Sequence, residues 1–186
     1  MAVLVDEARW SWRDTTWAHL VSDESPDELH DFAQRLGKRR LGFQGDHYDV
    51  DVVDRQRAIG LGALATPSRE LVRRLRAAGL RRRDAKPTWD RLLGSDEGSP
   101  LDLGDRVDNY GVAGRLLTEA VASVRHLSTA ARCGVFVDVA HLVLLVDVAP
   151  AIELTDLSDS VADELWISGP RADGWRSMEF FVRRQR

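Results

Sequence analysis

The pattern of apolar and polar positions predicts a series of strands in the first part of the chain. Val3 to Val5 is a short apolar run that ends in Asp6, as in a buried strand. Thr15 to Ser22 is rich in β-branched and aromatic residues, which favour a second strand. We predict a strand followed by a loop over residues 40–50, and a short strand at 62–65.

The clearest local signal is the start of a helix. Ser25 has the position of an N-cap, Pro26 that of the first helical residue, and Glu28 completes a capping box. Apolar residues follow at helical spacing as far as Leu36, and Gly37 is typical of a helix end. The sequence therefore predicts a helix between residues 26 and 36.

Two further helices complete the first half of the chain. One is predicted over residues 51–59, and another from residue 68 to Gly79, with Thr66 or Ser68 as its cap. The resulting order of elements, β-β-α-β-α-β-α, is typical of a small α/β domain with a mixed sheet and flanking helices. We assign residues 1–84 to this domain.

The second half has a different pattern. Residues 85–108 are polar, contain Gly and Pro and have little periodicity, so we predict a linker or long loop. A helix is predicted from Val112 to Leu127, and the long β-branched stretch at 134–148 predicts two strands or one bent strand. Residues 164–184 have the pattern of a C-terminal hairpin with its turn at 169–174. Residues 109–186 are thus expected to be α+β.

Composition limits the class of protein and its compartment. The chain has 186 residues, 44% of them hydrophobic and 30% charged, which is typical of a globular protein. Cys133 is the single cysteine, so an internal disulfide is excluded, as is usual in a reducing compartment. The longest apolar stretch is interrupted by charged residues and is shorter than the ~20 residues of a membrane span. The N-terminus lacks the features of a signal peptide, and we expect a cytoplasmic protein without a membrane association.

Several segments of the first half resemble a known family. They are VLVDEARW at 3–10, AHLVSD at 18–23, ELHDFAQRLG at 28–37, FQGDHYDV at 43–50 and SRELVRRL at 68–75. Together they resemble the family catalogued as domain of unknown function 4031, whose members are short bacterial and phage proteins. The resemblance covers about residues 1–80, implies an α/β domain and implies no particular activity; residues 88–186 resemble no family that we recognise. The family's recurrent polar positions correspond here to Asp6, His19, Asp23, His47, Tyr48 and Asp49.

The segment FQGDHYDV carries an unusual density of polar groups. Alternate side chains of an extended segment share a face, so His47 and Asp49 are expected to point together, with Asp46 and Tyr48 opposite. Such a pair can supply two ligands to a divalent metal, or a base and the carboxylate that orients it. The alternative is a polar loop in which Asp46 and Asp49 cap the following helix.

Other polar residues lie at or near strand ends. Asp6 ends the first strand, where α/β sheets commonly place sites, although a turn-capping role is an equal alternative. His19 is either a site residue or a hydrogen-bonded core residue, and Asp23 is either a ligand or a turn carboxylate. If they converge with His47 and Asp49, the catalytic set Asp6, His19, Asp23, His47 and Asp49 has the inventory of a metal-assisted hydrolase. Gln44, Tyr48 and Arg57 are then candidates for substrate binding.

These residues lead to two hypotheses of different class. The first is a small, metal-dependent, hydrolase-like enzyme acting on a phosphorylated or nucleotide-like substrate. Mn²⁺ or Mg²⁺ would suit its carboxylates, and mixed His/Asp ligation also admits Zn²⁺. The second is a non-catalytic regulatory module that binds a ligand or a nucleic acid.

A run of arginines offers a route to nucleic acid. Its members are Arg69, Arg73, Arg74, Arg76, Arg81, Arg82 and Arg83. A solvated helix face is the more frequent reason for such a run, and the sequence pI of about 5.7 argues against strong non-specific binding to DNA. We therefore favour an unidentified small molecule as the partner, while the sequence leaves the oligomeric state open.

Overall fold

The structure is a computed structural model that describes residues 2–82, 85–95, 99, 101–124, 131–152 and 161–184. The chain divides into two compact units, Met1–Pro87 and Thr88–Arg186. The first contains a mixed sheet with helices, and the second an antiparallel sheet with a helix. The predicted fold class, an α/β domain followed by an α+β region, is confirmed.

The first unit is built around one long strand. Its elements are β1 Val3–Val5, β2 Trp10–Trp12, β3 Thr15–Ser22, α1 Pro26–Leu36, β4 Tyr48–Asp51, α2 Val52–Gly60, β5 Leu64–Ala65 and α3 Ser68–Ala77. Strand β3 pairs antiparallel with β1, β2 and β4, whereas β1 pairs parallel with β5. The strands predicted at 3–5, 15–22 and 62–65 are confirmed.

Strand β2 was not predicted from the sequence. It forms a hairpin with β3 through a turn at Arg13 and Asp14, which have φ angles of 50° and 61°. A type I′ hairpin turn needs positive φ at both positions and usually shows Asn-Gly or Asp-Gly there. Since neither residue is glycine or asparagine, the sequence gives no turn signal at this point.

The two faces of the first sheet are covered to different extents. Side chains on one face, such as Val5 and Leu20, pack with α1 and α2 in a continuous core. On the other face, Leu4 and Val21 pack against Leu71 and Leu75 of α3. His19 lies on this second face, two residues along β3 from Val21, and is only half-buried. Helix α3 covers the second face at Leu4 and Val21 but not at His19, so polar side chains of β3 and β4 on this face are accessible to solvent.

The helix caps follow the prediction at α1 and depart from it at α2. Ser25 accepts a hydrogen bond from the Glu28 backbone N–H, and Gly37 ends α1 with a φ of 89°. The Glu28 carboxylate, however, accepts from the Ser22 hydroxyl instead of the Ser25 N–H, so only half of the capping box forms. The N-cap of α2 is Asp51, so Asp46 and Asp49 do not take the capping role of the alternative interpretation.

Helix α3 begins without a side-chain cap. Its N-cap residue is Pro67, so neither Thr66 nor Ser68 takes the role predicted for it. The Ser68 hydroxyl instead donates to Asp6 at 2.9 Å, across the parallel strand pair. Ser68, which has the sequence position of a helix cap, thus hydrogen-bonds the Asp6 carboxylate instead.

A buried polar pair joins β4 to α1. Tyr48 is fully buried, and its hydroxyl lies 2.9 Å from Nδ1 of His30. Arg40 also contacts the His30 ring. Burial, reinforced by the positive charge of Arg40, lowers the pKa of His30 to about 4. His30 is therefore neutral in the folded protein near pH 7.

The second unit is a five-stranded antiparallel sheet with a helix. Its elements are β6 Asp90–Ser95, α4 Val112–Ser123, β7 Ala131–Val137, β8 His141–Val148, β9 Glu164–Ile167 and β10 Arg176–Arg183, and the strand order is β6-β7-β8-β10-β9. Helix α4 packs through Leu117 and Ala120 on the apolar face of the sheet. The two strands predicted at 134–148 and the C-terminal hairpin are confirmed.

Two predictions for the second unit need correction. Strand β6 lies inside the stretch for which the sequence predicts a linker or long loop, because its pairing with β7 overrides a weak local pattern. Helix α4 ends at Ser123, and Leu127, the predicted end, lies outside the described residues. None of the helices in the described ranges has the length and apolar character needed to cross a membrane.

Candidate metal centre

Three side chains with metal-binding atoms meet on the accessible face of the first sheet. His19 of β3 lies directly opposite Asp49 of β4, and His47 immediately precedes β4. The two imidazole rings meet edge to face with their centroids 5.1 Å apart, and His47 Nε2 lies 3.5 Å from Asp49 Oδ1. One ligand atom from each residue lies within 4.8 Å of the others. We call His19, His47 and Asp49 the histidine cluster.

Asp6 binds both the ring and the backbone of His19. Its Oδ2 lies 3.0 Å from His19 Nδ1, and its Oδ1 accepts the His19 backbone N–H at 2.7 Å. Burial favours a raised pKa for Asp6, whose side chain is only 5% exposed, but hydrogen bonds from His19 and Ser68 outweigh burial and lower the pKa. An ionised Asp6 engages Nδ1, so Nε2 is the nitrogen that His19 can offer to a ligand.

Asp46 does the same for His47. Asp46 Oδ1 lies 2.6 Å from His47 Nδ1, while Oδ2 accepts from the Arg81 side chain at 2.8 Å and from the Arg82 backbone N–H at 2.9 Å. Burial favours a raised pKa for Asp46, but the hydrogen bonds from His47 and Arg82 outweigh burial and lower it. Each histidine of the cluster is thus paired at Nδ1 with a buried carboxylate.

His47 itself lies between two carboxylates. Burial favours a lowered pKa for its imidazole, but hydrogen bonds and charge interactions with Asp49 and Asp46 outweigh burial and raise the pKa. The two carboxylates therefore favour a positive charge at the position of the cluster. A metal cation would satisfy the same carboxylates.

A tight turn brings Asp46 into this position. Gly45 has a φ of 93°, and a Cβ atom at this residue would lie 2.5 Å from the carbonyl oxygen of Ala85. The Gln44 backbone N–H donates to the His47 carbonyl at 2.8 Å and closes the turn. Asp46 therefore does not point away from His47, as strict strand alternation predicts; it turns back to bind it.

Replacement of Gly45 by alanine is expected to lower the free energy of unfolding by about 2 kcal/mol or more. Left-handed backbone alone costs an alanine roughly 1–2 kcal/mol, and the contact with Ala85 adds to it. Gly62→Ala is the matched control, because Gly62 has a φ of 104° and nothing within 4 Å of its added Cβ. Urea denaturation of both variants measures the difference; equal losses would contradict the close approach at Gly45.

The structure does not bring all predicted site residues together. Asp23 accepts from the Ala2 backbone N–H and pairs with Arg74 at the other end of β1. It lies four residues from His19 along the chain, which is roughly 13 Å in an extended strand. Asp23 is therefore a structural ion-pair partner at the opposite edge from the cluster.

The side chains of the three predicted substrate-binding residues have partners other than the histidine cluster. Tyr48 is buried in the core with His30. The Gln44 side chain donates to the Gly42 carbonyl at 3.3 Å, and Arg57 pairs with Asp54 at 2.7 Å. These contacts assign structural partners to all three.

Two features of the site were missed in the sequence. Asp46 was placed on the face opposite His47, although Gly45 before it was a signal for a turn. The strand that carries Trp10 was not predicted, and Trp10 lies beside His19 with its ring centroid 6.1 Å away. His19, whose side chain is 40% exposed, is not the core residue of the alternative interpretation.

The donor set fits a divalent transition metal. Two imidazoles and one carboxylate are three protein ligands, the usual number in catalytic zinc sites, and imidazole favours such ions over Mg²⁺. Metal-binding histidines commonly donate their other ring nitrogen to a carboxylate, as His19 does to Asp6 and His47 to Asp46. Ligand atoms around one Zn²⁺ lie roughly 3–4 Å apart when each bond is about 2.0–2.2 Å, so small side-chain movements would close the present cluster around an ion.

Comparison with known proteins identifies the segment that carries this site. Residues 3–78 match the model of a family described as protein of unknown function (DUF4031). This confirms the resemblance predicted from the sequence, and no family model matches the second half. No curated protein and no solved structure matches the chain. The histidine cluster, Asp6 and Asp46 all lie within the DUF4031 segment.

Three members of the arginine run are engaged in ion pairs within the first unit. Arg73 pairs with Glu70 at 2.6 Å, Arg74 pairs with Asp23, and Arg81 pairs with Asp46. Arg83, which the sequence placed in the run, lies outside the described residues. Arg73, Arg74 and Arg81 therefore already have a carboxylate partner.

Proposed function

We propose that the first unit is a metal-dependent, hydrolase-like enzyme that acts on a phosphorylated or nucleotide-like substrate. The observation that carries the proposal is the double carboxylate–histidine arrangement, in which Asp6 and Asp46 each hold one histidine by Nδ1 beside the same carboxylate, Asp49. A site that needed only hydrogen-bonding polar groups would not require two imidazoles fixed in this way. Metal-binding histidines almost always have such a partner at their other ring nitrogen.

The residues would take distinct roles in such a site. His19, His47 and Asp49 would hold the ion, which when bound supplies a Lewis acid for a phosphoryl oxygen and an activated nucleophile. Asp6 and Asp46 are positioning residues, because they act through the histidines. Their hydrogen bonds fix the ring orientations and keep Nδ1 protonated, which leaves Nε2 for the ion.

Two guanidinium groups contact the positioning residues Asp6 and Asp46. Arg55 donates through Nε to the Asp6 carbonyl at 2.6 Å, and Arg81 binds the Asp46 carboxylate. Both arginines are therefore one residue removed from the histidines of the cluster. The Arg81 charge is already paired with Asp46, whereas Arg55 donates to a backbone carbonyl. The positive charge of Arg55 beside the site favours an anionic substrate such as a phosphate ester.

The proposal is tested by metal binding together with turnover. Thermal shifts with Zn²⁺, Mn²⁺ and Mg²⁺, followed by hydrolysis of bis(p-nitrophenyl) phosphate and p-nitrophenyl phosphate, are measured for the wild type and for Asp49→Asn. We expect a transition metal to raise the melting temperature and to support hydrolysis in the wild type alone. Binding of the metal without turnover of any phosphate ester would favour the alternative, a non-catalytic binding module. If Asp49→Asn retained both the metal-dependent thermal shift and the hydrolysis, the proposed metal site would be contradicted.

Asp6→Asn is expected to weaken metal binding by about 10- to 100-fold, the usual effect of removing a carboxylate behind a metal-binding histidine. Asparagine retains an oxygen that can accept from His19, so the strand pairing should survive while the charge is lost. Asp23→Asn is the matched control, since Asp23 is an ion-paired carboxylate at the opposite end of β1. Isothermal titration with Zn²⁺ measures both, and equal affinities for the two variants would contradict the role given to Asp6.

We also infer that the protein works in the cytoplasm. A single cysteine, Cys133, suits a reducing compartment, where disulfides are rare. Fractionation of cells that express a tagged full-length chain tests this inference.

A further inference from the structure

A row of aromatic rings leads up to the histidine cluster. The ring centroid of Trp10 lies 6.1 Å from that of His19, and Trp10 stacks on Trp17 with a centroid distance of 5.8 Å and an interplanar angle of 24°. Trp17 in turn contacts Trp12 at 5.7 Å. We call Trp10, Trp12 and Trp17 the tryptophan row.

The tryptophan row is not part of a hydrophobic core. Trp10 is 37% and Trp12 50% exposed, and the described cores of the first unit contain none of the three rings. Trp17 is partly buried, and its Nε1 donates to the Trp12 carbonyl at 3.0 Å, which fixes its ring against the hairpin. Adjacent indole rings that are accessible to water form an exposed apolar patch, and such patches commonly mark binding sites.

The position of the row on the sheet is set by strand geometry. Trp17 precedes His19 by two residues on β3, and Trp10 and Trp12 face Trp17 and Thr15 across the β2–β3 hairpin. Alternation places these side chains on the face that also carries the histidine cluster. From Thr15 to His19 the strand covers roughly 13 Å, so the row offers room for more than one planar group beside the cluster.

The charges around the row favour an anionic ligand with planar groups. The Arg13 guanidinium lies over the Trp12 ring, 4.3 Å from its centroid. Arg9, immediately before Trp10, is exposed but paired with Glu7 at 3.3 Å. At the other end, Arg55 donates to the Asp6 backbone carbonyl, whereas the charge of Arg81 is paired with the Asp46 carboxylate. Indole faces next to guanidinium groups are the combination with which proteins bind single-stranded nucleic acid, where bases stack on aromatic rings and cations follow the backbone.

We propose that the tryptophan row stacks the bases of a single-stranded nucleic acid and thereby delivers a phosphodiester to the histidine cluster. The inference rests on the proposed function for the identity of the reacting group, and it narrows the substrate class to a polynucleotide. The bases of a duplex are stacked on each other, so a duplex would not bind in this way. The arginine run is not required, because Arg73, Arg74 and Arg81 are already paired with carboxylates.

The test measures strand binding separately from metal binding. Fluorescence anisotropy of a fluorescein-labelled octathymidylate is recorded with the full chain in EDTA, so that no metal-dependent turnover occurs. Trp10→Ala, Trp12→Ala and Trp17→Ala are each expected to weaken binding on the order of 5- to 150-fold, the range for loss of one stacked base. Trp10→Phe should retain most of the affinity, because it keeps an aromatic face and guards against simple misfolding. Trp175→Ala, which removes an indole from the second unit, and Arg73→Ala, on the arginine run, are the matched controls and should bind as the wild type does.

The outcomes separate this inference from the proposed function. Weaker strand binding by the tryptophan variants with an unchanged Zn²⁺ thermal shift supports the inference. Wild-type affinity in all three alanine variants, equal competition by a duplex, or binding of an oligosaccharide in place of the strand overturns it. A wild-type protein that binds Zn²⁺ but no oligonucleotide also overturns it and leaves the metal site standing. In the remaining case, the tryptophan variants weaken strand binding but Zn²⁺ does not raise the melting temperature of the wild type. That result would contradict the proposed hydrolase and support the stacking surface.

Discussion

Replacement of His47 by alanine is expected to weaken the binding of Zn²⁺ by more than about 100-fold, because loss of a direct ligand should exceed the 10- to 100-fold cost of losing a carboxylate behind one. His47 is the central member of the cluster, since its ring contacts His19 and its Nε2 lies 3.5 Å from Asp49. Its removal leaves one imidazole and one carboxylate, which hold a transition metal weakly. It also leaves Asp46 without its imidazole partner.

A control variant distinguishes the loss of a metal ligand in His47→Ala from a general loss of structure. His141→Ala is the matched control, because His141 lies 3.6 Å from Asp138 in the second unit and belongs to no metal-capable group among the described residues. Isothermal titration in the absence of substrate should give wild-type affinity for His141→Ala and no measurable binding for His47→Ala. Equal affinities of the two variants for Zn²⁺ would show that the ion, if bound, is held elsewhere.

The free energy of unfolding is expected to fall by about 3 kcal/mol between pH 7 and pH 4 through His30 alone. The folded-state pKa of His30 is about 4, whereas the ordinary value is 6.5. Between these values the unfolded chain binds a proton that the folded protein does not, so stability rises with pH across the window and is lost as the pH falls. Each unit of difference corresponds to about 1.36 kcal/mol, which gives the expected total.

A variant that cannot titrate isolates this contribution from that of the carboxylates. His30→Gln retains groups that can hydrogen-bond the buried Tyr48 hydroxyl but has no proton to gain. Urea denaturation at a series of pH values should show a loss from pH 7 to pH 4 that is smaller in His30→Gln than in the wild type by about 3 kcal/mol. Parallel pH profiles for the two proteins would contradict a depressed pKa at His30. Because His30 lies on the core side of the sheet, metal binding should change little at pH 7.

The sequence predicts the elements of the fold well where the signal is local. The N-cap at Ser25 and the end at Gly37 define α1, and both are found where expected. The alternation that places His47 and Asp49 together is also local, and the two side chains do meet. These parts of the account depend on neighbours in the chain, which a single sequence displays.

The parts that were missed depend on pairing between distant residues. Whether Asp6 or Asp23 meets His19 is decided by the antiparallel register of β1 and β3, in which Val5 faces Leu20 and Val3 faces Ser22. The sequence offers both carboxylates equally, and only the register separates them. Asp46 joins the site because Gly45 adopts a positive φ and approaches Ala85, a contact between residues that the local pattern does not connect.

The central claim is that His19, His47 and Asp49 together hold one divalent transition metal. Its most direct test is an anomalous difference map from crystals of the full chain grown with Zn²⁺, recorded on either side of the zinc absorption edge. The account predicts a peak about 2.0–2.2 Å from Nε2 of each histidine and from a carboxylate oxygen of Asp49, with Asp6 and Asp46 still bound to Nδ1. Crystals grown with Zn²⁺ that show no anomalous peak among these three side chains, or a peak only at other residues, would contradict the claim.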